Sequence, residues 1–135
     1  MTWQTFLFVI IIITAVLILK GKMKFEGDNM KVVELNAIIK EGKLSEQSAL
    51  VLDVREDHEY RDGHIKGSLN IPLGEIEGKI EKIKKYKSVY VICHSGGRSA
   101  MACRMVKNLC AGSVVPVNVE GGMSAWHGAN FEYEK

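Results

Sequence analysis

The pattern along residues 30–135 predicts an α/β fold, a central parallel sheet flanked by helices on both faces, preceded by one transmembrane helix. Three observations point there. Short apolar runs rich in β-branched residues, Ala49–Val54, Ser88–Ile92 and Val114–Val119, alternate with segments whose apolar residues recur at helical spacing. The run Val89-Tyr90-Val91-Ile92 stops at Cys93, and a loop with two glycines leads straight into a helical pattern that begins at Arg98. Ahead of all this, residues 3–19 form an uncharged, strongly apolar stretch.

Size and charge narrow the classes. A chain of 135 residues has room for one domain of about a hundred residues and an appendage. Its formal net charge of +2 gives no reason to expect a nucleic-acid partner. Three cysteines, Cys93, Cys103 and Cys110, fit neither a paired disulfide framework nor zinc-ligand spacing, so no metal site and no cofactor is expected. An odd, sparse set fits a reducing compartment.

Taken in order, residues 3–19 are about 17 residues long, the lower limit for a spanning helix. Their isoleucines are no obstacle, because lipid offers the backbone no other partner. Trp3 suits one interface and Lys20, Lys22 and Lys24 the other. No basic residue precedes the run, which places the N-terminus outside and the rest of the chain in the cytoplasm. A cleaved signal peptide needs a basic start and a small-residue cleavage site, and a soluble core helix needs a polar face; neither is present. The expected division is an anchor over residues 1–20, a linker over 21–29 and a domain over 30–135. The linker spans at most roughly 30 Å, which keeps the domain near the membrane surface.

Within the domain, Met30–Val33 reads as a short strand, and Val33–Glu41 as a helix with Leu35, Ile38 and Ile39 inward, stopped by Gly42. Ala49–Val54 is a buried-type strand. Glu56–Arg61 reads as a brief helix closed by Asp62-Gly63, and His64–Pro72 holds a short extended piece. Ile76, Ile80 and Ile83 mark an amphipathic helix before the Ser88–Ile92 strand, and the lysines between Lys79 and Lys87 read as its solvated face. From Ser99 onward, Ala102, Cys103, Val106, Leu109 and Cys110 form the apolar stripe of a longer helix. Val114–Val119 is a strand interrupted by Pro116, and Gly121-Gly122 opens a last helical turn carrying Trp126.

The chemistry gathers at Cys93. A strand, a glycine-bearing loop and a helix N-terminus make an anion cradle, with backbone N–H groups pointing inward and the helix dipole behind them. A cysteine at its mouth, with Arg98 five positions on, has its thiolate stabilised and its pKa lowered. In parallel sheets the active crevice lies at the carboxyl ends of the strands, which is where Cys93 falls. The bland alternative is a buried cysteine before an ordinary turn. Gly96, Gly97 and Arg98 in that loop favour the nucleophile.

Four ordered motifs carry a family resemblance. They are Leu52-Asp53-Val54-Arg55-Glu56, Gly63-His64-Ile65-Lys66-Gly67-Ser68-Leu69-Asn70-Ile71-Pro72, Cys93-His94-Ser95-Gly96-Gly97-Arg98-Ser99, and Gly121-Gly122-Met123-Ser124-Ala125-Trp126. From about Met30 onward the chain resembles a single-domain rhodanese, a sulfurtransferase, joined to a membrane anchor. Two residues depart from the family pattern. His94 stands where arginine is common, leaving the loop one fixed positive charge short, and Ser68 stands where alanine is common.

The resemblance implies a rhodanese-like sheet and thiosulfate sulfurtransferase-type chemistry. Cys93 would be the catalytic nucleophile and would carry a persulfide. His94, Ser95, Gly96, Gly97, Arg98 and Ser99 would bind the substrate sulfur. Related cysteine phosphatases place their arginine one residue further from the cysteine, and the tighter loop here suits sulfur rather than a phosphoryl group. A small donor such as thiosulfate and a thiol or cyanide acceptor are the expected partners, with a membrane protein or sulfur-carrier protein as a further one. Asp53 and Arg55 have two readings: they orient the active loop, through an ion pair with Arg98, or they are structural only. Arg98 could equally serve a carboxylate such as Glu59. His64 and Trp126 read as packing and capping residues, and Cys103 and Cys110 as inert members of the core. A sulfur carrier with little turnover, or a binding module, stays open beside the enzyme.

Overall fold

The computed structural model describes residues 2–11 and 29–135. Helix α1, residues 3–11, exposes Trp3, Phe6, Phe8 and Ile11. The rest of the expected span and all of the linker but Asn29 lie outside the described residues. Among the described residues no helix is long and apolar enough to cross a membrane.

The domain is built on strands β1 (Asn29–Met30), β2 (Ala49–Asp53), β3 (Leu69–Asn70), β4 (Ser88–Ile92) and β5 (Val115–Val119). They form one sheet in the order β1-β5-β4-β2-β3, and every pairing is parallel. The helices are α2 (Val32–Lys40), α3 (Lys43–Glu46), α4 (Asp57–Asp62), α5 (Gly97–Leu109) and α6 (Gly122–Gly128). Alternate residues of each strand face opposite sides, so the sheet has two cores. Leu50, Leu52, Val89 and Val91 pack on one side with Ala102 and Val106 of α5. Val51, Tyr90, Ile92 and Val117 pack on the other with Leu35 of α2 and Trp126 of α6. This is the α/β arrangement the alternation predicts.

Several elements differ from expectation for identifiable reasons. The segment around Ile76, Ile80 and Ile83 is not an α-helix but two 3₁₀ helices, Leu73–Glu75 and Glu77–Lys82, broken by a non-helical Lys79. Gly74 and Gly78 weaken helix there, while Ile76 and Ile83 are fully buried in the core. On α5 the buried stripe is Ser99, Ala102, Val106 and then Cys110 at the C-cap; Cys103 is half-buried and Leu109 is exposed. That path follows one helix face, and Cys103 and Leu109 sit beside it. Helix α5 starts at Gly97, one residue before the Arg98 expected, because Gly96 at φ 108° already completes the turn.

Pro116 does not interrupt its strand; it pairs with Val89. The N–H of Val115 donates to Lys87 on the β4 side, so the missing N–H of Pro116 falls on the opposite edge. There β1 reaches no further down than Asn118. The short helix α3 was not foreseen, and neither was the return of the C-terminus, where Glu134 makes an antiparallel bridge with His64.

Candidate active site

Cys93 follows β4 directly, in the crevice at the carboxyl edge of the sheet, and is 1% exposed. Its sulfur sits at the base of the loop 94–98. The Gly96 N–H donates to Sγ at 3.1 Å, and the Ser99 hydroxyl lies 3.3 Å away. Burial alone would push this thiol up. A Ser99 hydroxyl turned to the sulfur, together with the backbone N–H groups of Ser99, Gly96 and Ser95, outweighs it and brings Cys93 below its ordinary value. Cys110, at the end of α5, has its thiol pushed up, chiefly by burial, with Lys84 pulling it down and Glu81 adding to the rise.

The loop is held from behind by α6. The Met123 N–H donates to the Cys93 carbonyl at 2.8 Å, and the Ser124 N–H to the His94 carbonyl at 2.9 Å. This approach is possible because residue 122 is glycine. A Cβ there would stand 2.3 Å from the Cys93 carbonyl oxygen, and its φ of +55° already disfavours a side chain. The second member of the Gly-Gly pair therefore belongs to the active loop's support as well as to the helix it opens.

Not all of the expected residues meet the sulfur. His94 and Ser95 side chains are exposed at the rim, and Gly97 begins α5. Arg98 turns its guanidinium away to Glu59 on α4, with contacts of 2.6 and 2.9 Å. Arg98 holds the Glu59 carboxyl down at about 2 against its burial, so this pair is ionised throughout the neutral range. The same carboxylate accepts the Glu56 N–H, closing the capping box that starts α4.

Asp53 and Arg55 do not reach Arg98. They pair with each other at 2.7 Å, both buried, and Arg55 goes on to the carbonyls of Gly63 at 2.7 Å and Glu59 at 3.2 Å. This ties the end of β2 to the middle and the C-terminal end of the helix that carries Glu59. His64 stacks on Tyr60 at 3.7 Å and approaches Glu134 at 3.3 Å; the Trp126 indole donates to the Glu132 carbonyl. Both pack and cap. Sequence reasoning passed over Asn118, whose Oδ1 accepts from Ser99 at 2.5 Å. The signal was a polar residue inside the apolar strand Val117-Asn118-Val119. Among the described residues no cluster of three or more His, Cys, Asp or Glu side chains is placed to hold a metal ion.

The rhodanese-like domain family matches residues 32–129, which include the sheet from β2 to β5, the Cys93 loop and the Gly-Gly pair. The chain belongs to that family. Its rhodanese-like domain is 39% identical over 100 residues to YtwF of Bacillus subtilis (strain 168), provisionally named a sulfurtransferase, covering 73% of this chain and 94% of that one. It is 44% identical over 84 residues to YrkF of the same strain, provisionally named a sulfur carrier protein. That match covers 62% of this chain and 44% of YrkF, so the chain spans less than half of that relative's length. Among solved structures, a rhodanese-related protein from Thermoplasma volcanium superposes with a TM-score of 0.67 at 32% identity, covering 79% of this chain and 97% of that one. The fold and the sulfurtransferase superfamily are thereby shown.

Two predictions come from this geometry. Gly122→Ala forces α6 off the Cys93 carbonyl and should cost about 3 kcal/mol, a fall of roughly 15 °C in Tm for a domain of this size. A variant that melts with the wild type and keeps a reactive Cys93 would show that the contact is dispensable. For Cys93, the lowered pKa means more thiolate at neutral pH, lost only as pH falls through that lowered midpoint. Its rate of alkylation by iodoacetamide should therefore titrate with a midpoint below 9.0, and that of Cys110 above it. Coincident profiles for the two cysteines would contradict the loop's role.

Proposed function

We propose that this rhodanese-like domain transfers a sulfane sulfur through a persulfide on Cys93. The observation that carries the reading is the buried Cys93 sulfur facing inward-pointing N–H groups across a loop of four residues before Arg98. In the loading step the thiolate attacks the outer sulfur of a donor such as thiosulfate. The S–S bond of the donor breaks, sulfite leaves with that electron pair, and Cys93–S–S⁻ remains. The same N–H groups that favour the thiolate favour this anion, a fixed-dipole stabilisation that requires no reorganisation. In the unloading step a thiophilic nucleophile, cyanide or a thiol, takes the outer sulfur and returns the thiolate. No dedicated base is needed, because the nucleophile is already ionised.

The similarity to YrkF favours a second reading of the same site, a carrier that loads one sulfur and gives it to one protein partner with little turnover on small acceptors. We also propose that residues 3–19 anchor the chain as a single-pass membrane protein with the domain on the cytoplasmic side. The exposed apolar face of α1 and the uncharged run that contains it support this reading. A membrane protein or a sulfur-carrier protein close to the bilayer would then be the natural recipient.

After thiosulfate treatment, the intact mass of the full chain should rise by about 32 Da, and cyanide should remove the gain with release of thiocyanate. Cys93→Ser should abolish loading, while Cys103→Ser and Cys110→Ser keep most of it. Cyanide-labile sulfur on the Cys93 variant would overturn the assignment; one turnover with cyanide but many with a protein thiol would favour the carrier. In cells, the full chain should sediment with membranes after a high-salt wash and a form starting at Asp28 should not. Equal behaviour of the two forms would remove the anchor.

A further inference from the structure

The Ser99 hydroxyl has one proton and two claimants. Stabilising a Cys93 thiolate requires that proton to point at Sγ, 3.3 Å away. In the structure it is given instead to Asn118 Oδ1 at 2.5 Å. The chain of bonds then runs one way: the Cys93 thiol donates to Ser99, and Ser99 donates to Asn118. On its other side the Asn118 amide N–H donates to the Gly96 carbonyl and to Asn29 Oδ1, both at 3.4 Å. This is a consistent arrangement for a thiol and the wrong one for a thiolate.

Turning the Asn118 amide over reverses the chain. Its N–H₂ then donates to Ser99 Oγ, and the Ser99 proton is released toward the sulfur. The displaced Oδ1 then faces Asn29, an exposed side chain able to turn and donate back, and the Gly96 carbonyl, which gives up this contact and keeps the Ala100 N–H. Room for the turn exists on that side, because Asn118 and Asn29 line a groove of about 270 Å³ between α5 and the edge of the sheet. The bonds given up, at 3.4 Å, are the long ones of the set.

We propose that Asn118 is a positioning residue for the reacting sulfur: the orientation of its amide decides, through Ser99, whether Cys93 receives a hydrogen bond or has to donate one. The proposal rests on Cys93 being the sulfur-bearing residue. It adds that the cradle has two hydrogen-bonding states, one matched to the thiol and one to the thiolate or persulfide anion. Other charged and titratable groups surround this path. Arg98 with Glu59 and His94 lie at the loop, Asp53 with Arg55 lies at the end of β2, and Arg104, Lys107 and Cys103 line the groove. All of them stay constant in the variants below.

The test is the pH profile of Cys93 alkylation in the full chain, read at the Cys93 peptide by mass spectrometry. It counts thiolate whether or not sulfur is ever transferred, so it stays readable if the persulfide reading fails. Asn118→Asp is isosteric and can only accept, so it holds the Ser99 proton permanently and should raise the midpoint by about one pH unit. Asn118→Ala removes the competitor and should leave the midpoint at or below that of the wild type. In a Ser99→Ala background the effect of Asn118→Asp should fall to less than half, leaving only direct charge repulsion. Asn118→Ala and Asn118→Asp raising the midpoint alike would mean a structural role only. An Asn118→Asp shift of equal size with and without Ser99 would equally overturn the proposal.

Discussion

The docking of the N-terminus of α6 onto two carbonyls of the Cys93 loop is the contact on which the site depends. Within one peptide unit the C=O and N–H point in opposite directions. Fixing the Cys93 and His94 carbonyls on the N–H groups of Met123 and Ser124 therefore turns the N–H groups of His94 and Ser95 to the opposite side. Gly96, in a left-handed conformation, then aims its own N–H at the sulfur before α5 begins. The cradle is thus a consequence of backbone tethering. Side-chain charge plays little part in shaping it, and the contact itself exists because position 122 has no Cβ.

Charge is arranged around the cradle in closed pairs. Arg98 is held by Glu59, and Asp53 is held by Arg55, so each of these cations is matched by a carboxylate. The positive potential at Sγ comes chiefly from N–H dipoles and the start of α5. Neutral, fixed donors suit a monoanion such as a thiolate or persulfide, and they spare the protein the cost of an uncompensated charge at a buried site. The two pairs also share a segment. Arg55 grips the backbone of α4 and Glu59 presents its carboxylate from the same helix, so the end of β2 sets where Arg98 is anchored.

Much of this was legible in the chain. The alternation of β-branched runs with helical spacing announced the parallel sheet, and the strand ending at Cys93 announced the glycine loop at its carboxyl edge. The bounds of β2, β4 and β5 held to within a residue, because apolar runs end where turn chemistry begins, whereas the strand expected over Met30–Val33 ends at Met30 and gives way to α2 at Val32. The readings that failed are those in which local pattern left more than one outcome open. An apolar residue every three or four positions serves an α-helix or a pair of 3₁₀ turns equally, and Gly74 and Gly78 tipped the Ile76–Ile83 segment to the latter. Pro116 looked like a break because sequence does not say which strand edge its missing N–H will face.

By itself the sequence determined the fold class, the loop spacing from Cys93 to Arg98 and the family, since each depends on residues adjacent in the chain. Which charges neutralise which was decided only in the folded domain. Arg98 and Glu59 are 39 positions apart, and either of two carboxylates, Asp53 or Glu59, could have claimed that arginine. Asn118 reached the Ser99 hydroxyl for the same reason, across 19 positions. Hydrogen bonds and ion pairs act over a few ångströms, so long-range partners are chosen by the packing of the sheet and helices, and no local pattern records that choice.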